Sequence, residues 1–87
     1  MGQDLTTSYR IKRMQIQSWR RGIKEMDLIL GNFANANLKN LTETELDLYD
    51  EVLLQDDHLL FAWISGAKVV PKEFKEIIEK ISFARKQ

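Results

Sequence analysis

Arg20, Arg21, Gly22, Glu25 and Asp27 fall within one short stretch, Trp19-Arg20-Arg21-Gly22-Ile23-Lys24-Glu25-Met26-Asp27. Two guanidiniums beside two carboxylates are groups for recognition. A planar guanidinium makes paired hydrogen bonds to a carboxylate, and a fixed array of both signs can read the donors and carboxylates of another protein. A glycine between them lets a foreign backbone approach closely. These five residues are the expected partner-binding set. A plainer reading stays open beside it. Arg21 and Glu25 are four apart, which on a helix gives an ion pair worth about 0.3–0.5 kcal/mol, and Gly22 would then be a bend and nothing more.

The rest of the chain offers little for catalysis. It has no cysteine and a single histidine, His58. That excludes disulfides and thiolate metal sites, leaves no histidine cluster for a metal or a triad, and fits a reducing compartment. No phosphate-binding glycine loop or nucleophile elbow is present. The 13 acidic residues read as solvated helix surface rather than general acids or bases. No catalytic residue, metal or stably bound cofactor is expected, and His58 reads as a surface or capping residue beside Asp57.

Helices must position the charged stretch. Residues from about Thr7 to Arg20 read as a first helix, with Thr6, Thr7 or Ser8 available as N-cap and a weak apolar stripe of Ile11, Met14 and Ile16. Residues 1–7 read as a flexible terminus. Gly22 bends the chain, and a second helix runs from about Lys24 to Asn37 on Met26, Ile29, Leu30, Phe33 and Ala34. Gly31 lies inside it at a cost of about 1 kcal/mol relative to alanine, which points to close approach of a neighbouring helix. Thr42-Glu43-Thr44-Glu45 is a capping box opening a third helix with Leu46, Tyr49, Val52 and Leu53 buried. Asp56-Asp57 ends it and caps a fourth, Leu59 to Ser65, closed by Gly66 in a left-handed conformation. Pro71 starts the last helix, where Phe74, Ile77, Ile78 and Ile81 keep strict helical spacing. Phe33, Phe61, Trp63 and Phe74 read as core. Trp19, beside the charged stretch, divides evenly between core and interface. Nothing alternates with period two.

Eighty-seven residues make one domain, and the expected fold is all-α, a compact bundle of five short helices. No apolar run is long enough to span a bilayer. Net charge is zero but segregated. Residues 1–25 carry six Lys/Arg, residues 26–57 carry eight acids against Lys39, and residues 58–87 carry six Lys/Arg against three acids. That layout suits steering toward a charged protein surface and argues against a dedicated nucleic-acid binder.

Arg21-Gly22-Ile23-Lys24-Glu25 resembles the RGxxE signature of the succinate dehydrogenase assembly factors, the flavinylation family called SdhE in bacteria. Residues 18–34 resemble its RRGxxExDLLLxxF block, and Leu41-Thr42-Glu43-Thr44-Glu45-Leu46 a second. Leu53-Leu54-Gln55-Asp56-Asp57 with Leu60, Trp63 and Ile64 resembles a third, and Pro71 follows at the expected distance. The similarity covers about residues 10 to 80 in order and spacing. His58 departs from it, since the family often has proline there, which puts the cap of the fourth helix in question. The resemblance implies a five-helix bundle that is not an enzyme. It implies binding to the flavoprotein subunit of succinate dehydrogenase, and possible service to that of fumarate reductase, to promote covalent attachment of FAD to a histidine there. FAD then belongs to the partner, and the chain acts as an assembly chaperone. The short N-terminus suggests a bacterial, cytoplasmic protein, monomeric when free, without membrane insertion. Two rivals remain on the residues alone: a nucleic-acid or toxin–antitoxin-type module, because Arg10, Lys12, Arg13, Arg20 and Arg21 crowd one region, and a small enzyme.

Overall fold

The computed structural model describes residues 5–86. Five helices follow one another: α1 Leu5–Ser18, α2 Lys24–Asn37, α3 Glu43–Leu53, α4 Asp57–Ser65 and α5 Lys75–Arg85. Single 3₁₀ turns, Leu38–Asn40 and Lys72–Phe74, lead out of α2 and into α5. There is no strand among the described residues. The all-α bundle of five short helices expected from the sequence is what forms, with extents of 40 × 26 × 25 Å.

α2 is the central element and packs against both α1 and α5, while α1 also meets α3 and α4 meets α5. The core gathers one stripe from each helix: Ile11 and Met14, then Met26, Leu30, Phe33 and Ala34, then Leu46, Tyr49 and Val52, then Leu60, Trp63 and Ile64, then Ile77, Ile78 and Ile81. Phe74 and Leu38 join it from the two 3₁₀ turns. Ring pairs Phe33–Tyr49 and Trp63–Phe74 stand 5.6 and 5.5 Å apart. Phe61, Ile29 and Leu53 pack against this core while only partly buried.

The helix ends follow their local chemistry. Thr42 and Glu45 form the reciprocal capping box of α3. Asp56 caps α4 by accepting from the N–H groups of His58 and Leu59. The departure from proline at His58 therefore adds an N–H donor to the cap. Gly66 closes α4 at φ 86°, the one left-handed residue among those described.

α1 differs from its expected form. It already includes Leu5, so Thr6, Thr7 and Ser8 lie within it rather than capping it, and it ends at Ser18 instead of Arg20. Of the stretch expected to be flexible, residues 5–7 are helical, and residues 1–4 lie outside the described residues. Ile16 faces solvent, and Ser18 takes the third core position. The Ser18 hydroxyl lies 2.7 Å from Met14 O and 2.6 Å from the Tyr49 hydroxyl, which lies 3.3 Å from Leu30 O. Two hydroxyl protons serve these three contacts, and the shorter pair favours Tyr49 donating to Ser18 and Ser18 to Met14. Burial pushes the Tyr49 hydroxyl above its ordinary pKa, so it stays a neutral donor.

Candidate functional site

Residues 19–23 connect α1 to α2 and bring the charged stretch against the corner between α3 and α4. Arg21 lies in this connection, outside any helix. Its Nε donates to Asp57 Oδ1, Nη1 to Leu53 O and Nη2 to Gln55 O, each at 2.7 Å. Leu53 O is a carbonyl that the end of α3 leaves without an intrahelical partner, and Gln55 O lies in the turn just beyond the helix. One guanidinium thus closes the C-terminus of α3 and pairs with a carboxylate in the first turn of α4. Both side chains of the pair are nearly enclosed, 11% and 12% exposed.

The backbone is held as firmly as the side chain. The Arg21 N–H donates to Asp27 Oδ1 at 2.6 Å. The Gly22 N–H donates to Asp57 Oδ2 at 2.8 Å. Two successive amides are each fixed by a carboxylate, one from α2 and one from α4, and Asp57 uses both its oxygens. Gly22 has no left-handed backbone, and a Cβ there would meet only Asp57 Oδ2, at an ordinary 3.5 Å. The fold itself therefore does not demand glycine at this exposed position.

The five residues expected to bind a partner divide into two groups. Arg20, Gly22 and Glu25 are exposed. Arg21 and Asp27 are half-buried and hold the connection in shape. The intrahelical Arg21–Glu25 pair does not form, because Arg21 precedes α2 and turns toward Asp57. Glu25 instead faces Arg85 at the end of α5, with Oε2 3.6 Å from Nη2. The Arg85 guanidinium lies over the Phe61 ring, 5.4 Å from its centroid. At 56% exposure of the Glu25 side chain, such a surface pair contributes little and can exchange for another partner. Ile23, Met26, His58 and Phe61 line a small open depression beside Glu25.

Asp57 is the organising residue that sequence reasoning passed over. Its signal was the Asp56-Asp57 doublet: one carboxylate suffices to cap α4, so the second was free for other work. Trp19 settles on both sides of its question. Its ring lies flat over Gly31 where a Cβ would stand, yet it remains 37% exposed. The neighbour that Gly31 accommodates is this indole rather than a helix backbone.

The segregated charges pair with one another across the surface between α1 and α3. Arg10 bonds to Asp47 at 2.6 Å and to Asp50 at 3.1 Å, and Arg13 bonds to Asp50 at 3.1 Å, tying α1 to α3. Burial would raise the Asp50 carboxyl, but its bonds from Arg13 and Arg10 outweigh that and hold it below the usual range. The Arg10 guanidinium is raised by its hydrogen bond to Asp47. Much of the basic–acidic layout is thus structural cross-linking rather than a free electric polarity. Three of the five basic residues that suggested nucleic acid, Arg10, Arg13 and Arg21, are paired in this way. Among the described residues no cluster of three or more His, Asp or Glu is arranged to hold a metal, and no helix is long and apolar enough to cross a membrane.

Comparison with known proteins places the chain in a family. A family described as flavinator of succinate dehydrogenase matches residues 12–84. The chain is 42% identical over 77 residues to succinate dehydrogenase assembly factor 2, mitochondrial, of Caenorhabditis briggsae, covering 85% of this chain and 59% of that protein. It is 41% identical over 70 residues to the protein of the same name from Dictyostelium discoideum, covering 80% of this chain and 50% of that one. It is 41% identical over 64 residues to FAD assembly factor SdhE of Coxiella burnetii, covering 71% and 77%. The chain thus spans about half to three fifths of those mitochondrial relatives and over three quarters of the bacterial one.

Proposed function

Because the chain belongs to the succinate dehydrogenase flavinator family, we propose that it is an assembly factor: it binds the flavoprotein subunit of succinate dehydrogenase and promotes covalent attachment of FAD. The observation that carries this reading is the fixed connection at Arg21-Gly22, with Gly22 and Glu25 left exposed beside it. A surface whose amides are already immobilised loses little entropy on docking. Gly22, not required by the fold, lets the client backbone close on the connection. Glu25 exchanges Arg85 for a basic or hydrogen-bonding group of the client, and Arg20 flanks them. Arg21 and Asp27 act from within, holding the shape.

The reaction needs no catalytic group on this chain. FAD is held by the flavoprotein, and the covalent bond forms there. Binding favours the client arrangement in which histidine and flavin meet, a shift of population by differential affinity. The flavoprotein of fumarate reductase is a second client under the same reading. The free factor acts as a monomer in the bacterial cytoplasm under this reading; its relatives include a bacterial protein, that of Coxiella burnetii, beside mitochondrial ones.

The test is in-gel fluorescence of covalent flavin on the flavoprotein subunit. Cells lacking the factor are compared with cells complemented by the wild type or by Gly22→Arg. Loss of fluorescence restored by the wild type alone is expected. Undiminished fluorescence without the factor overturns the proposal.

A further inference from the structure

α1 carries a second apolar stripe that the core does not use. Leu5, Tyr9, Ile16 and Trp19 are all exposed, and with Lys12 they step along one side of the helix at alternating spacings of four and three. Ile16, Trp19, Lys12, Gln15 and Arg20 line a shallow open depression at the end nearest the charged connection. Trp19 sits on Gly31, and its Nε1 donates to Asn35 Oδ1 at 3.3 Å. Position 31 is mid-helix, where glycine costs about 1 kcal/mol relative to alanine. The space this leaves is taken by an aromatic ring that still shows 37% of its surface. A half-exposed tryptophan held in one orientation by its own socket is the form that binding anchors take.

We propose that this face of α1 is the second half of the client interface: Trp19 and Ile16 enter an apolar recess on the flavoprotein, and Lys12 and Arg20 meet carboxylates around its rim. The inference rests on the reading that the Arg21-Gly22 connection faces the flavoprotein. Two observations select this occupant. The stripe is continuous with the connection, since Trp19 and Arg20 begin it. The face is also of one sign. α1 contains no acidic residue, and the row of α2 beside Trp19, namely Lys24, Leu28, Gly31 and Asn35, contains none either. Lys12 and Arg20 form no ion pair among the described residues. An acidic-rimmed recess complements this face, whereas a second copy would set like charges against each other.

The test measures affinity of the full chain for the purified flavoprotein subunit. Trp19→Ala is expected to weaken binding by about 10-fold or more, the loss typical of a buried aromatic anchor. Gly31→Ala keeps the tryptophan but fills its socket, so it weakens binding too. The double variant Trp19→Ala/Gly31→Ala then binds as Trp19→Ala alone, because Gly31 acts only through the ring. Ile16→Ser/Lys12→Glu alters solvent-facing atoms only and gives the same direction of effect in a chain of unchanged helicity. Wild-type affinity in folded Trp19→Ala and Ile16→Ser/Lys12→Glu overturns the inference. If Gly22→Arg still abolishes binding in that case, the assembly-factor reading stands without it. A wild-type chain that does not bind the flavoprotein overturns both. Unchanged client affinity together with lost self-association, or lost adsorption to phosphatidylglycerol vesicles, overturns it in favour of a second copy or an anionic bilayer.

Discussion

Arg21→Ala separates an internal arginine from a partner-facing one. In the structure its guanidinium makes three hydrogen bonds of 2.7 Å, one to a carboxylate and two to backbone carbonyls. Removing it strands Asp57 with only the Gly22 N–H and leaves Leu53 O and Gln55 O unpaired. Breaking a fully buried ion pair costs about 3–5 kcal/mol. The residual exposure of 11% and 12% admits some water and brings the expectation to about 3 kcal/mol. For a domain of this size that lowers Tm by about 12–24 °C, since each kcal/mol shifts it by about 4–8 °C. Circular dichroism melts of Arg21→Ala, Arg21→Lys and Arg20→Ala decide the matter. Arg21→Lys retains one of the three contacts at best and is expected to lose about 2 kcal/mol. Arg20→Ala, a solvated neighbour, stays within about 0.5 kcal/mol of the wild type. A Tm for Arg21→Ala within about 3 °C of the wild type would refute the internal assignment. The paired guanidinium would then be free to act as a direct ligand of the client.

Ser18→Ala leaves Tyr49 only its long bond to Leu30 O and costs about 1–2 kcal/mol, while the double variant with Tyr49→Phe costs less than the sum, as urea titrations would reveal. Asp56→Ala removes the α4 cap and costs about 1 kcal/mol by the same titration, whereas Gly22→Ala, with a free 3.5 Å contact for its methyl, leaves stability within about 0.5 kcal/mol. Asp50 and Glu45 have folded pKa values below their unfolded ones: Asp50 through its arginine bonds against burial, and Glu45 chiefly through the Thr42 N–H. Their stabilisation is therefore complete above the unfolded values near pH 4 and is lost as pH falls through the folded ones. Denaturation midpoints should fall steadily below about pH 4, and Asp50→Asn should flatten that fall; an unchanged slope would contradict the α1–α3 network.

The helices, the capping box, the Asp56 cap and the Gly66 stop were legible because each depends on residues close in sequence. The charged stretch that carries Arg20, Gly22 and Glu25 stood out in the sequence as well, and the structure leaves these three exposed. What escaped was decided by contacts between distant elements. The Arg21–Asp57 pair spans 36 residues, and no local pattern distinguishes it from the Arg21–Glu25 spacing, which looked better on paper. Ile16, expected in the apolar stripe of α1, faces solvent, and Ser18 is buried in its stead against the Tyr49 hydroxyl of α3. The charge blocks were visible, but their mutual cancellation required knowing that α1 lies along α3.

The Arg21–Asp57 lock joins a connection near the start of the chain to a helix that begins two thirds of the way along it. The proposed docking surface is therefore a property of the finished molecule. A chain emerging from the ribosome would carry every residue of the RGxxE segment long before Asp57 arrived to set its geometry. Truncated or partly unfolded copies would hold the same letters on a slack loop and compete poorly for a client. Under the proposed function, recognition built in this way would double as quality control, since only a factor that has completed its own folding would be competent to assist another protein's.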